Sequence, residues 1–198
     1  MAARHLHLSG DPDADALLSK DPLALLIGMV LDQQIPLERA FAAPAELARR
    51  LGGPYDAASI AAADPDELAA LFAARPALHR FPGSMAARVQ DLCVTIVEEY
   101  GGDASRVWRD APDGRALLAA LKALPGFGDQ KARIFVALLG KQLGVRPKGW
   151  EQATSPFGEP GSFRSVADIV DAESLASVRA FKQQMKAAAK VGTPASKR

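Results

Sequence analysis

One cysteine, Cys93, stands in the 198 residues. That excludes an internal disulfide framework and a four-cysteine zinc or iron–sulfur site. Aromatic residues are scarce at 6%, and no stretch alternates apolar and polar residues for long enough to read as a sheet. No repeat of fixed period occurs. The longest apolar run, Leu23 to Leu31, is nine residues, well short of the roughly 20 that span a bilayer, so no membrane partner is expected. The opening stretch MAARHLHLSGDPDAD has no apolar segment of the kind a secretory signal carries, so none is expected. Histidines number three, His5, His7 and His79. They are too scattered to make a metal site, and no metal is expected. An excess of one charge is missing too, since the net charge is +1.

What is present favours helix. Alanine fills 39 positions, apolar residues make 48% and charged residues 24%, ordinary values for a globular protein with room for a core. Pro22 can open a helix, and LALLIGMVLDQQ is apolar almost all round, which predicts a central buried helix. Pro36 can open another, with a break or kink at Pro44. Asp64-Pro65-Asp66-Glu67 reads as a helix start with acids near its positive end. Val89, Leu92, Cys93, Ile96, Val97 and Tyr100 fall on one helical stripe that Gly101-Gly102 ends. Two helices, Gly114 to Leu124 and Asp129 to Leu143, flank the turn PGFG. Residues 144–162, rich in Gly and Pro, predict irregular chain. Ser165 and Asp168 have capping-box spacing, and a last helix is predicted over 172–190 with Leu175, Val178, Phe181 and Met185 inward. His5 and His7 read as part of an N-terminal strand or arm, and Cys93 as core. The product is an all-α protein of many short helices, one domain over 1–190 with a loose basic tail over 191–198.

Charge is unevenly placed. Residues 1–99 hold 8 basic and 14 acidic residues, and the rest hold 16 and 9. Between Arg115 and Lys148 seven basic residues face a single acid, Asp129. One basic end suggests a polyanionic partner, with solvated helix faces as the alternative.

The most informative segment is Leu124-Pro125-Gly126-Phe127-Gly128 between two amphipathic helices. Glycines allow a tight turn, Phe127 can tuck between the helices, and the turn offers backbone N–H groups at a helix N-terminus. Such a turn binds a phosphate without reading a base. Gln130, Lys131 and Arg133 lie just beyond it, and Arg146 and Lys148 further on are candidate phosphate contacts. Trp150 reads as packing between lobes, with base stacking as the alternative.

This segment resembles the helix–hairpin–helix motif, with the hairpin at 121–140. The resemblance extends upstream. Leu31-Asp32-Gln33-Gln34 resembles the Gln-containing turn of the helix–hairpin–helix DNA glycosylase superfamily, and Phe81-Pro82-Gly83, the helix at 88–100 and Gly101-Gly102-Asp103 follow that family's order. It implies a two-lobed helical fold, with the hairpin lobe inside 20–148 and the terminal segments completing the other lobe. It implies that the hairpin grips double-stranded DNA through Gly126, Phe127, Gly128 and Gln130, that Gln33 and Gln34 approach the lesion, and that the target nucleotide flips into a cleft. A monovalent cation bound by hairpin carbonyls is compatible with it; no other cofactor is expected.

The sequence also departs from the family. The family's lyase lysine position holds Gln130, and Lys131 lies about 100° further round the helix. Lys131 is therefore expected to point elsewhere, and lyase chemistry is not expected. An ungapped extension puts Lys148 where the family has its catalytic aspartate. Glu151, Asp32 and Lys131 remain the candidate catalytic residues, with Asp129 read as a helix cap. The resemblance thus implies a monofunctional base-excision DNA glycosylase without an iron–sulfur cluster, acting on damaged, including alkylated, bases. A monomer is expected, cytoplasmic, nucleoid-associated and bacterial. The rival readings are a non-catalytic binder of damaged or distorted DNA on the same scaffold, and a helical module with no nucleic-acid partner.

Overall fold

The computed structural model describes residues 5–191. The tail expected from 191 onward lies outside them, apart from the end of the last helix. Among the described residues there are eleven α-helices and no strand. The first six are α1 (Pro12–Lys20), α2 (Pro22–Leu31), α3 (Leu37–Leu51), α4 (Ala57–Ala61), α5 (Pro65–Ala73) and α6 (Pro82–Tyr100). Then follow α7 (Arg106–Arg109), α8 (Gly114–Ala123), α9 (Asp129–Leu138), α10 (Trp150–Thr154) and α11 (Ala172–Val191). The first six pack mainly on one another; α7 to α10 form a second group, and α11 packs on the 3-10 turn Val166–Asp168. No helix among the described residues is long and apolar enough to cross a membrane.

Local chemistry sets the helix ends. Asp11, Asp21, Asp64 and Asp113 each accept first-turn N–H groups, and Pro12, Pro22 and Pro65 open three of those helices. Helix α2 is buried on every side, from Leu23 to Leu31, as its unbroken apolar run requires. Ser165 and Asp168 form the expected capping box. Asp168 also takes Lys141 Nζ at 2.6 Å, an ion pair that ties this capped turn to the end of the second hairpin helix.

Several boundaries differ from the sequence expectation. Helix α3 runs unbroken through Pro44, because Ala40, Phe41, Ala43, Pro44 and Leu47 bury one face, offsetting the ~3 kcal/mol that an interior proline costs. The helix expected at 88–100 begins at Pro82. The second hairpin helix ends as a π-turn over Leu139–Leu143. A short helix, α10, interrupts the irregular stretch. Gly128, not Asp129, is the N-cap of α9. The N-terminal segment is an arm and not a strand: Leu6 and Leu8 are buried, and Leu6 N–H donates to Ser19 Oγ. On α11 Val178 is buried but Met185 is 55% exposed, because no described element covers that end of the helix.

Trp150 is half-buried and locks the hairpin lobe. A Cβ added at Gly140 would lie 2.4 Å from its ring, and one at Gly114 would lie 2.4 Å from its Cα. Glycine is therefore required at both positions for close approach. Gly140→Ala is expected to lose about 3 kcal/mol of unfolding free energy through overpacking in a rigid core. Chemical denaturation checks this, and a variant as stable as the parent would show that Trp150 can move aside.

Candidate nucleic-acid interface

The hairpin turn stands on the end of α2. Gly126 has φ +85, and a Cβ there would sit 3.2 Å from Val30 and 3.1 Å from Arg88 Cδ. Phe127 is 5% exposed and meets Phe135 edge to face at 5.5 Å. Its side chain is thus tucked against α9 within the hairpin. Gly128 is exposed, has φ −78, and nothing lies within 4 Å of an added Cβ. Positive φ is therefore needed at Gly126 and not at Gly128. Beyond Gly128 the first N–H groups of α9 face open space, and the helix dipole favours an anion there.

The basic residues are less free than their number suggests. Asp129 pairs with Lys122 and Arg133, each at 2.8 Å. The hydrogen bond from Arg133 is the first cause that holds its carboxyl down at about 2. Arg133 also donates to Ala153 O at 2.7 Å. Arg146 donates to Gly140 O at 2.8 Å and lies over the Trp150 ring. Both guanidinium groups thus also brace the lobe, while Arg146 stays exposed. Gln130 and Lys148 are exposed, and the Lys148 carbonyl accepts from Gly114 N–H.

The Gln turn follows α2. Gln33 faces inward: its amide donates to Val30 O at 2.8 Å and lies 3.3 Å from Met85 Sδ, while Arg88 approaches its Oε1 at 3.4 Å. Gln34 is exposed with φ +57, a conformation that only a few per cent of non-glycine residues adopt. Gln33 builds the turn and Gln34 is presented by it.

Between this turn and α9 lies a cleft of about 470 Å³. Its walls are Met29 and Asp32, residues 128–131, and Ile134. Lys131 enters the cleft. Its Nζ donates to Val30 O at 3.1 Å, a carbonyl at the end of α2 that also accepts from the Gln33 amide, where a cation is favoured. Burial pushes the Lys131 amine down to about 8, Arg88 adds to that, and Asp32 opposes it. Burial likewise raises the Asp32 carboxyl, against the pull of Lys182 and Lys131. Among the described residues no ion pair within 4.0 Å joins the two, so each stays available to a third group. Glu151 is exposed at the start of α10 and does not line the cleft.

Three contributors were not expected at the site from the sequence. Arg88 reaches the Gln turn and the hairpin from α6, and only the fold brings it there. His79 is 1% exposed and bonds to Gln33 O. Phe81 is 42% exposed beside the Gln turn, with the Arg80 guanidinium 4.8 Å over its ring. No group of His, Cys, Asp and Glu among the described residues is placed to hold a metal. In the turn, Leu124 O and Gly128 O accept from Phe127 and Ala132 N–H.

A glycine-turned hairpin thus stands beside a cleft that holds a carboxyl and an amine. The family model of the HhH-GPD superfamily of base excision DNA repair proteins matches residues 27–192, and the chain belongs to that family. No match was found among curated proteins or among solved structures. Membership makes it a base excision DNA repair protein and implies DNA binding.

Proposed function

We propose that this chain is a DNA N-glycosylase that binds double-stranded DNA and flips a damaged nucleotide into the cleft between α2 and α9. The observation that carries this reading is the half-buried carboxyl of Asp32 in a cleft beside the hairpin turn. Breaking a glycosidic bond builds positive charge on the sugar, and a carboxylate in a poorly hydrated site stabilises that charge. Lys148, at the family's aspartate position, does not line the cleft, and Asp32 supplies the carboxylate from the end of α2. Met29 and Ile134 supply apolar walls for a base. The exposed Phe81 is shaped to wedge between base steps and fill the gap that a flipped nucleotide leaves. A cationic alkylated purine departs most easily, so alkylated lesions are the favoured substrates.

The test is single-turnover base release from duplexes bearing alkylated purines or neutral deaminated bases. Release is expected to be fastest on alkylated purines. Tight binding to all duplexes with no release from any would support the non-catalytic reading instead.

A second reading has its own observation, the Lys131 amine held at about 8 inside the cleft. A fraction of that amine is unprotonated near neutral pH. On an abasic deoxyribose it would add to the C1′ aldehyde and lose water, giving a Schiff base. Under this reading borohydride traps a covalent adduct on abasic duplex. Trapping rises from about pH 7 to about pH 9 as the amine loses its proton, and Lys131→Gln abolishes it. No adduct from a protein that binds the duplex leaves the monofunctional reading in place.

A further inference from the structure

His79 lies where the Gln turn meets the start of α6. Phe81 N–H donates to its Nδ1 at 3.1 Å. With Nδ1 accepting, a neutral ring carries its proton on Nε2, which faces Gln33 O at 2.9 Å. One imidazole thus spans two separate segments, and both of its nitrogens are used. On one side is the turn that presents Gln34; on the other is Phe81, stacked at a tilt 6.0 Å from the His79 ring. Both Phe81 and Gln34 are exposed, while His79 between them is 1% exposed.

We propose that neutral His79 is a positioning residue that holds Gln34 and Phe81 at a fixed separation as one DNA-contacting edge, so that duplex affinity falls when the imidazole takes a second proton. This rests on the reading of that edge as the DNA interface. The geometry makes the switch one-sided. A proton on Nδ1 faces the Phe81 N–H, so two donors meet and the Phe81 anchor is lost, while the bond to Gln33 O persists. The charged groups that bear on the ring are Arg39 on α3 and Arg80 in its own segment, and both oppose the second proton. The end of α2 and its turn offer the carbonyls of Leu31 and Gln33, which favour it. Burial is the largest influence and holds the ring below the ordinary histidine range. The edge is therefore intact at neutral pH and released on acidification.

The experiment measures duplex affinity against pH at constant ionic strength, beside an NMR titration of the His79 ring in the same protein. In the wild type, affinity is expected to fall about tenfold, the value of one hydrogen bond of ~1.4 kcal/mol, with the midpoint of the ring titration. His79→Asn keeps an acceptor for the N–H two residues on, as in an Asx-turn, and does not titrate. Its affinity is expected to lack that acidic fall. His79→Gln keeps the donor toward Gln33 but loses the acceptor, and is expected to bind weakly at every pH. If the wild-type ring titrates with no change in affinity, the proposal is overturned, whether or not either variant folds. Wild-type and His79→Asn profiles that coincide overturn it as well. Failure of the wild type to bind any duplex at any pH overturns the DNA reading itself, and the positioning role with it.

Discussion

Asp32→Asn is expected to lower single-turnover base release by about 10²- to 10³-fold while leaving duplex affinity within about twofold. Asparagine keeps the shape and size of the side chain and removes the charge. The charge is the part that matters if the sugar passes through an oxocarbenium-like state in the cleft. Stability should move the other way. Burial raises the Asp32 carboxyl, so its pKa is higher folded than unfolded. Above both values the folded state holds the less favoured ionised form, and stability falls as pH rises through that window. Replacing the carboxyl with a neutral amide removes this cost at neutral pH. The variant is therefore expected to unfold no earlier than the wild type. A residue whose charge costs stability and supports rate is spending fold energy on function. The pH–rate profile gives a second readout. Its acidic limb should lie above the ordinary aspartate value of about 3.9. Wild-type release by a folded Asp32→Asn variant would remove Asp32 from the chemistry, and equal loss of rate and affinity would make it a binding residue.

The fold was more legible than the site, and the reason is range. Helix ends follow from residues a turn apart, so Asp21-Pro22, Asp64-Pro65 and Gly101 mark real boundaries in the sequence. The site depends on contacts across the whole chain. Counting from the hairpin glycines turns Lys131 away from the family's lysine position, and about 100° of helix separates the two. Yet the direction of Lys131 is set by the end of α2, where Val30 O lies 101 residues earlier in the chain. Nothing near residue 131 records that contact. The basic run misleads for a similar reason. Lys141, Arg133 and Arg146 count as cations in the sequence, but each also donates within the protein, to Asp168, Ala153 O or Gly140 O. Composition shows how many charges there are, and only packing shows which of them remain to meet a phosphate. Asp32 was visible as a candidate because it stood beside the Gln turn. Its partial burial, which makes it chemically interesting, comes from a cleft whose facing wall is the start of α9.

Gly128→Val is expected to fold like the wild type and lose roughly 10- to 100-fold in duplex affinity, with the salt slope flattened by about one unit per lost phosphate contact. The backbone at Gly128, φ −78 and ψ 171, is the β region in which valine is comfortable. No atom lies within 4 Å of the added Cβ. The fold therefore loses at most about 1 kcal/mol, from placing a poor N-cap residue at the start of α9. Gly126 offers no such separation: its φ of +85 and the nearby Val30 make any substitution a folding defect first. At Gly128 the valine methyls project over the N–H groups that open α9, where a backbone phosphate has to sit within hydrogen-bond distance. They block that approach without touching a side chain, so the loss should be the same on lesion-bearing and undamaged duplexes. A loss confined to one lesion would place residue 128 in the base pocket, since the cleft begins there. A folded Gly128→Val protein with wild-type affinity and an unchanged salt slope would reduce the hairpin to a turn between two packed helices.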